Sequence, residues 1–306
     1  MVPEYIMVPK AKPKCPHCES KEIVKRGYFE TQAHGKQQRY FCKSCKKKFL
    51  ERTAFYRMRN HEKKITLCMD LYYRGVSLRK IQEHLQMFYS KNSSHMSIYR
   101  WLIRYSTYIS KLTDNIQIQS GQELMSDEME YHRLGEQNWF VDVMDTKTRY
   151  MVASDYMKSR TIDNLTNVLK RGKFATKEQI KIITTDGLQG YPRVLKKTFG
   201  LQKFNHASSR TKSKIIHNIV IASERGFNHK IERLHNTIRE RTKIMRGFHG
   251  SLECARAIMK GFEIFYNFVR KHQEIKKKPY EMALPELKFS NNVWLDLIKL
   301  SEKINT

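Results

Sequence analysis

Four cysteines constrain the start of this chain more tightly than any other feature. They stand as Cys15-x-x-Cys18 and, after 23 intervening residues, Cys42-x-x-Cys45. Two knuckles of this spacing place four thiolates around one tetrahedral Zn²⁺. The segment between them reads as a hairpin, with 22–29 strand-like and 39–42 leading back into the second knuckle. A unit of roughly 45 residues buries too little apolar area to hold itself together, so a metal staple is physically sensible. Disulfides are the alternative, and they belong to oxidising compartments. The N-terminus, broken by Pro3 and Glu4, does not read as a secretory signal. With four cysteines filling the site, His17 and His34 are expected to be bystanders. Cys68 and Cys254 read as small packed hydrophobes.

Charge points to the partner. The chain of 306 residues carries 58 Lys and Arg against 30 Asp and Glu, a net charge of +28. Apolar residues make up 40%, enough for real cores, and no run of 18 apolar residues suggests a membrane span. Such a surplus predicts a polyanion, nucleic acid first, because each neutralised phosphate releases a condensed counterion. The surplus is uneven: +10 in residues 1–60, +5 in 61–110, +2 in 111–200 and +11 in 201–306. Lys43, Lys46, Lys47 and Lys48 crowd the second cysteine knuckle, where they fit either phosphate contacts or a solvated face.

Residues 61–108 show three helical periods. Ile65, Cys68, Met69 and Tyr72 form one stripe, ended at Arg74-Gly75; Leu78, Ile81, Leu85 and Phe88 form a second, capped by Ser77. After a polar turn at 90–95, a third helix starting at Ser97 carries Ile98, Trp101, Leu102 and Tyr105, with Tyr99, Arg100 and Arg104 on its other side. This is the pattern of a helix-turn-helix, whose last helix enters the major groove N-terminus first. Ser94, His95, Ser97 and Arg100 are the candidate base contacts, with Arg104 beside them on the DNA side.

The near-neutral segment holds the unusual acids. Glu123, Asp127, Glu128 and Glu130 lie within eight residues that contain no base. A hairpin is expected from 138–144 and 150–154, a helix over 163–170, and a buried strand over 180–185 closed by Asp186-Gly187. A further helix, 228–245, places Ile231, Leu234, Ile238 and Met245 on a buried stripe and Glu232, His235, Arg239 and Lys243 along a second face. Three separated carboxylates, two on strands and one on a helix, can hold two Mg²⁺ ions about 4 Å apart for an in-line phosphoryl displacement. Asp142 and Asp145 are rivals for the first carboxylate; Asp145 reads as the cap of the hairpin turn, and Asp142 fits either sheet face.

Longer motifs then become specific. Asp127-Glu128 is followed by Gly135, Trp139 and Asp145-x-x-Thr148-Arg149; further on come Ser159-Arg160-Thr161 and Thr184-Thr185-Asp186-Gly187. Glu232-Arg233-Leu234-His235-Asn236 leads to Arg239, Arg241-Thr242 and Arg246-Gly247-Phe248, and the end of the chain carries 266–272 and Pro279-Tyr280-Glu281-Met282-Ala283. In these motifs the chain resembles a DDE (Asp-Asp-Glu) transposase of a bacterial or archaeal insertion sequence, over about 15–285. The resemblance implies a zinc ribbon, a helix-turn-helix and an α/β RNase H-like, integrase-type catalytic core with a mixed sheet flanked by helices. It implies Asp127, Asp186 and Glu232 as the catalytic, metal-binding triad for Mg²⁺ or Mn²⁺, Arg239 and Lys243 as DNA contacts, and His235 in support. Between Asp186 and Glu232 lie 45 residues, wider than the family pattern. Glu224 leaves 37, yet only Glu232 is followed by the His, Arg and Arg-Gly-Phe of the motif. The added length is expected to form a loop or strand around 204–221.

The expected division is 1–55 zinc ribbon, 56–115 helix-turn-helix, 116–273 catalytic domain and 274–306 C-terminal tail. The expected activity is Mg²⁺-dependent 3′-end cleavage and strand transfer at terminal inverted repeats, on double-stranded DNA, by a homodimer or larger assembly. The expected location is cytoplasmic, on the nucleoid. The competing readings are a catalytically inactive or domesticated DNA-binding regulator, and a nuclease that cuts without joining.

Overall fold

The computed structural model describes residues 13–31, 34–51, 53–89, 93–200, 215–220, 229–242, 245 and 247–303. Lys243 and Glu224 lie outside the described residues, as does most of 204–221.

The N-terminal unit is a three-stranded antiparallel sheet of β1 (Ile23–Thr31), β2 (Gly35–Cys42) and β3 (Lys48–Leu50), with β2 in the middle. Its core consists of little more than Cys15, Cys42 and Phe49, backed by Ile23, Tyr40 and Cys45. So small a core contributes little stability of its own. The register of β1 on β2 shifts between Lys25 and Tyr28, where Gly27 adopts a φ of +68°.

Three helices follow: α1 (Glu62–Tyr73), α2 (Leu78–Phe88) and α3 (His95–Thr113). The Ser77 hydroxyl caps α2 by accepting from the Lys80 N–H, and Gly75, at φ +108°, lets the chain turn away from α1. Helix α3 begins two residues earlier than its pattern suggests, because Ser94 caps it by accepting from the Ser97 N–H at 3.2 Å. The Gln82 Oε1 on α2 accepts from the His95 backbone N–H at 2.7 Å and lies 3.2 Å from its Nδ1, which fixes the angle between α2 and α3.

The second sheet has five strands: β4 (Glu123–Glu130), β5 (Trp139–Asp145), β6 (Met151–Met157), β7 (Ile182–Thr185) and β8 (Ile216–Ile219), in the order β6-β5-β4-β7-β8. β4, β5 and β6 form an antiparallel meander, whereas β7 and β8 run parallel to β4. β8 lies within the 204–221 stretch. Parallel neighbours need crossovers, and helices α4 (Ile162–Ala175) and α5 (Tyr191–Phe199) provide them. α4 packs Gly172 against Val143 and Val152 on one face of the sheet. The opposite face carries α6 (His229–Thr242) and α7 (Leu252–Ile264), where α7 reaches Ser154 through Glu263 at 2.5 Å. α7 continues into a π-helical turn at Phe265–Val269. Asp145 caps the β5–β6 hairpin as expected, accepting from the Thr148 N–H at 2.8 Å and its hydroxyl at 2.6 Å.

One apolar core runs without a break from Ala54 to Ile298, through both the three helices and the five-stranded sheet. After the short α8 (Pro279–Ala283), α9 (Val293–Glu302) returns to the first helices: Trp294 stacks on Tyr73 at 5.4 Å, and Glu302 accepts from the Ala54 N–H at 2.7 Å. Val293–Glu302 therefore packs on the helical unit, whereas Tyr280 of α8 stacks on Phe268 of the π-helical turn. No helix among the described residues is long and apolar enough to cross a membrane.

Gly261 on α7 lies directly against the side chains of Tyr73 on α1 and Ser106 on α3. A Cβ there would sit 1.8 Å from Tyr73 Oη and 2.6 Å from Ser106 Oγ. Tyr73 is itself wedged among Phe262, Phe265 and Trp294, so it has nowhere to move. Gly261→Ala is expected to cost about 3 kcal/mol, the upper end for overpacking. A urea midpoint equal to that of the parent protein would contradict this packing.

Candidate metal centres

The four knuckle cysteines converge. Cys15 and Cys45 Sγ lie 3.5 Å apart, and Cys18 and Cys42 Sγ 3.6 Å. A tetrahedron of Zn–S bonds near 2.3 Å has an edge of about 3.8 Å. All four sulfurs fall within 4.8 Å of one another, and none is disulfide-bonded. The Cys45 backbone N–H points at Cys42 Sγ (3.5 Å) and draws that thiol below its usual value, while the neighbouring thiols raise Cys18, as expected of sulfurs crowded into one site. Soft sulfur donors in this geometry fit Zn²⁺. His34 is outside the site: its Nε2 lies 2.8 Å from the Met58 carbonyl, tying the ribbon to the helical unit.

The second cluster comes from strand register. β4 and β7 pair in parallel with Met125 opposite Thr184, so two residues further Asp127 falls opposite Asp186, just beyond the last strand residue, Thr185. There the strands stop pairing, and Asp127, Glu128 and Asp186 bring carboxylate oxygens within 4.8 Å. Asp127 faces α6. Glu128 leaves β4 on the other face, where Tyr191 Oη donates to it at 2.5 Å and also sits 3.0 Å from Ser126 Oγ. Asp186 is held at its turn by the Leu188 N–H, donated at 3.0 Å.

Keeping these acids charged together is costly. Burial pushes Asp127 up to about 6, with Asp142 and Asp186 adding to the rise and His235 opposing it. Burial pushes Glu128 up to about 7; the Tyr191 hydrogen bond opposes the rise, while Asp186 and Asp127 add to it. Crowded hard oxygen donors that resist ionisation fit a divalent cation such as Mg²⁺ or Mn²⁺.

Of the expected triad, the structure brings together Asp127 and Asp186. Glu232 lies on α6 and is not in the cluster, and Glu128 holds the third place among the described residues. His235, three residues after Glu232, is 3% exposed; its Nε2 sits 2.6 Å from Asp142 Oδ1 and its Nδ1 3.6 Å from Asp127 Oδ2. Asp142 thus lies on the Asp127 face of the sheet, as its register with Asp127 requires. Burial works against a charge on His235, but Asp142 and Asp127 outweigh it and hold the imidazole above its usual value.

Sequence reasoning did not single out Arg160 or Tyr191 as site residues. Arg160 stacks over Trp139 at 3.9 Å and reaches Glu128 Oε2 at 3.5 Å. Its signal was the Ser-Arg-Thr motif at the start of α4, whereas nothing in the sequence marked Tyr191. Of the helix candidates, Ser94 and Arg100 are exposed, and Ser94 and Ser97 are joined through the cap (Oγ to Oγ, 3.1 Å). Arg104 is also exposed, and its guanidinium donates to the Ala54 carbonyl at 3.2 Å. Arg239 is exposed on α6.

No protein-family model and no curated protein matches the chain. Solved structures do match. The HTLV-2 integrase catalytic core domain in complex with magnesium is 12% identical in its trimeric form and 10% in its dimeric form. Each match covers 54% of this chain, with 98% and 97% of the matched chains and a TM-score of 0.36. A simian T-cell lymphotropic virus intasome in complex with the PP2A regulatory subunit B56 gamma is 10% identical over 72% of this chain and 73% of that chain, with a TM-score of 0.38. Identity and superposition this low leave the geometry of the site to carry the functional reading.

Proposed function

We propose that the chain is a divalent-metal-dependent polynucleotidyl transferase acting on DNA, a DDE transposase with an RNase H-like core that cuts the 3′ ends of its element and joins them to target DNA. The observation that carries this reading is the register of β4 on β7, which sets Asp127 beside Asp186 at the open end of two parallel strands. Sites in α/β sheets form at such strand ends. Asp127 and Asp186 would hold the cation, with Glu128 or Glu232 as the third carboxylate. Held by these carboxylates, Mg²⁺ or Mn²⁺ would supply Lewis-acid chemistry, lowering the pKa of a water or 3′-hydroxyl and offsetting charge on the leaving oxygen. Arg160, on its Trp139 platform, would orient a phosphate at the edge of the cluster. Arg239 on α6 and, just beyond that helix in sequence, Lys243 would hold the DNA backbone.

DNA recognition is assigned to the N-terminal units. Lys43, Lys46, Lys47 and Lys48 are all exposed beside the cysteine cluster and suit phosphate contacts. In the three-helix unit, read as a helix-turn-helix, the N-terminal turn of α3 presents Ser94, His95, Ser97 and Arg100. Cleavage at two ends implies two copies of the chain in the working complex.

The test is incubation of the zinc-loaded chain with labelled duplex carrying the flanking repeats and Mg²⁺. Cut and joined products support the proposal. Cutting without joining favours a nuclease, and binding with neither favours a regulator. Duplex affinity is also expected to fall about a thousandfold or more between 50 and 200 mM salt, the range for six or more phosphate contacts. A shallow slope in a binding titration would contradict the assignment of the basic surfaces to DNA.

A further inference from the structure

Asp142 occupies an unusual place. It is fully buried in the middle of β5, among Phe140, Val141, Val143 and Met144, all of them buried and apolar. Packing alone gives no reason for a carboxylate there, since burying an ionised acid costs far more than burying a Val or Ile. Its Oδ1 is satisfied by His235 Nε2 at 2.6 Å, while its Oδ2 is buried with no hydrogen-bond partner among the described residues. His235 in turn aims its other nitrogen at Asp127 Oδ2, 3.6 Å away. Three side chains from β4, β5 and α6 thus form one line that ends at the carboxylate cluster.

We propose that the buried Asp142–His235 pair is a positioning device: it orients Asp127 for the cation and pins the rotation of α6. This inference rests on the metal-site reading above. The argument is geometric. Apolar anchors on α6, namely Ile231, Leu234 and Ile238, hold the helix on the sheet but allow it to roll. A hydrogen bond from a buried ring to a buried carboxylate does not allow rolling, because any rotation leaves both groups unpaired. Glu232 precedes His235 by three residues, so the two share a helix face and the pin that sets one sets the other. A carboxylate that orients a histidine, which in turn orients a metal-binding group, is a general way of fixing ligand geometry. Neither Asp142 nor His235 needs to touch the cation or the DNA.

The test uses the zinc-loaded full chain and two near-isosteric variants, Asp142→Asn and His235→Gln. The glutamine amide reproduces the Nε2 contact to Asp142 but not the Nδ1 contact to Asp127. Mn²⁺ affinity is read by calorimetry and paramagnetic resonance, and the unfolding midpoint is measured beside it. The expected result is a tenfold to hundredfold weaker Mn²⁺ affinity in both variants, about the usual effect of losing an outer partner, with His235→Gln close to the parent midpoint. If Asp142→Asn does not fold, His235→Gln decides alone. Mn²⁺ affinity within twofold of the parent in a folded variant would overturn the positioning role. A parent chain that binds no Mn²⁺ at the cluster would instead overturn the metal-site reading beneath it.

Discussion

Asp186→Ala and Asp127→Ala are each expected to lower Mg²⁺-dependent strand cleavage by about a thousandfold or more. A bound cation supplies several kcal/mol of transition-state stabilisation, and each 1.36 kcal/mol is tenfold in rate. The same substitutions should not cost the fold. Asp127 sits at about 6, raised chiefly by burial, and a carboxyl raised on folding favours the folded state only while it is protonated. That contribution is fully present below its unfolded value near 4 and is lost as pH rises through about 6. Asp127→Asn removes the loss, so its unfolding midpoint in metal-free buffer should exceed that of the parent at pH 8, and the two should converge near pH 4. Thermal scans at the two pH values, with a single-turnover cleavage assay, check both halves. A variant that is unstable at pH 8, or one that still cleaves, would contradict the role given to Asp127. The conflict between stability and ligand crowding is what a site built to hold a cation is expected to show.

Removing zinc is expected to unfold the ribbon while the rest of the chain persists. The ribbon's own core is Cys15, Cys42 and Phe49, and two of those three belong to the cysteine cluster that would hold the zinc. Apparent zinc-binding energies in comparable small units run at about 10–16 kcal/mol, and that energy is the folding energy. The main core begins at Ala54 and does not depend on the ribbon's three buried side chains. Chelation, or Cys42→Ser, should therefore expose 15–50 to limited proteolysis and erase amide protection in β1, β2 and β3, leaving a protected fragment that starts near residue 54. One zinc per chain is expected by elemental analysis. A ribbon that stays protected without metal would refute the staple.

How much of this was legible in the sequence depended on how local each feature is. The cysteine knuckles were readable because a two-residue loop between ligands is local geometry, and so were the Ser77 cap, the Gly75 stop and the Asp145 turn. Asp127 and Asp186 came from a resemblance in motif; their adjacency is a matter of parallel register, which spacing does not reveal. Glu128 stood in the sequence only as one of four clustered acids, next to Asp127. It enters the cluster because β4 and β7 stop pairing at that level, so a long side chain can wrap round the strand end to Tyr191 and Asp186. Asp142 was left open between two faces, since a strand's alternation says which residues share a face but not which face meets α6. The division near residue 273 followed composition, and composition does not show that Trp294 returns to Tyr73. Glu232 and His235 share one helix face, yet only His235 reaches the sheet, and that depends on a helix rotation that no local pattern fixes.

The central claim is that Asp127 and Asp186 form a divalent-cation site, and calorimetric titration of Mn²⁺ into the zinc-loaded chain tests it most directly. The account predicts saturable binding in the parent, lost in Asp186→Asn and in Asp127→Asn, with the ribbon's zinc unchanged. Equal Mn²⁺ binding by the parent and both variants would contradict it.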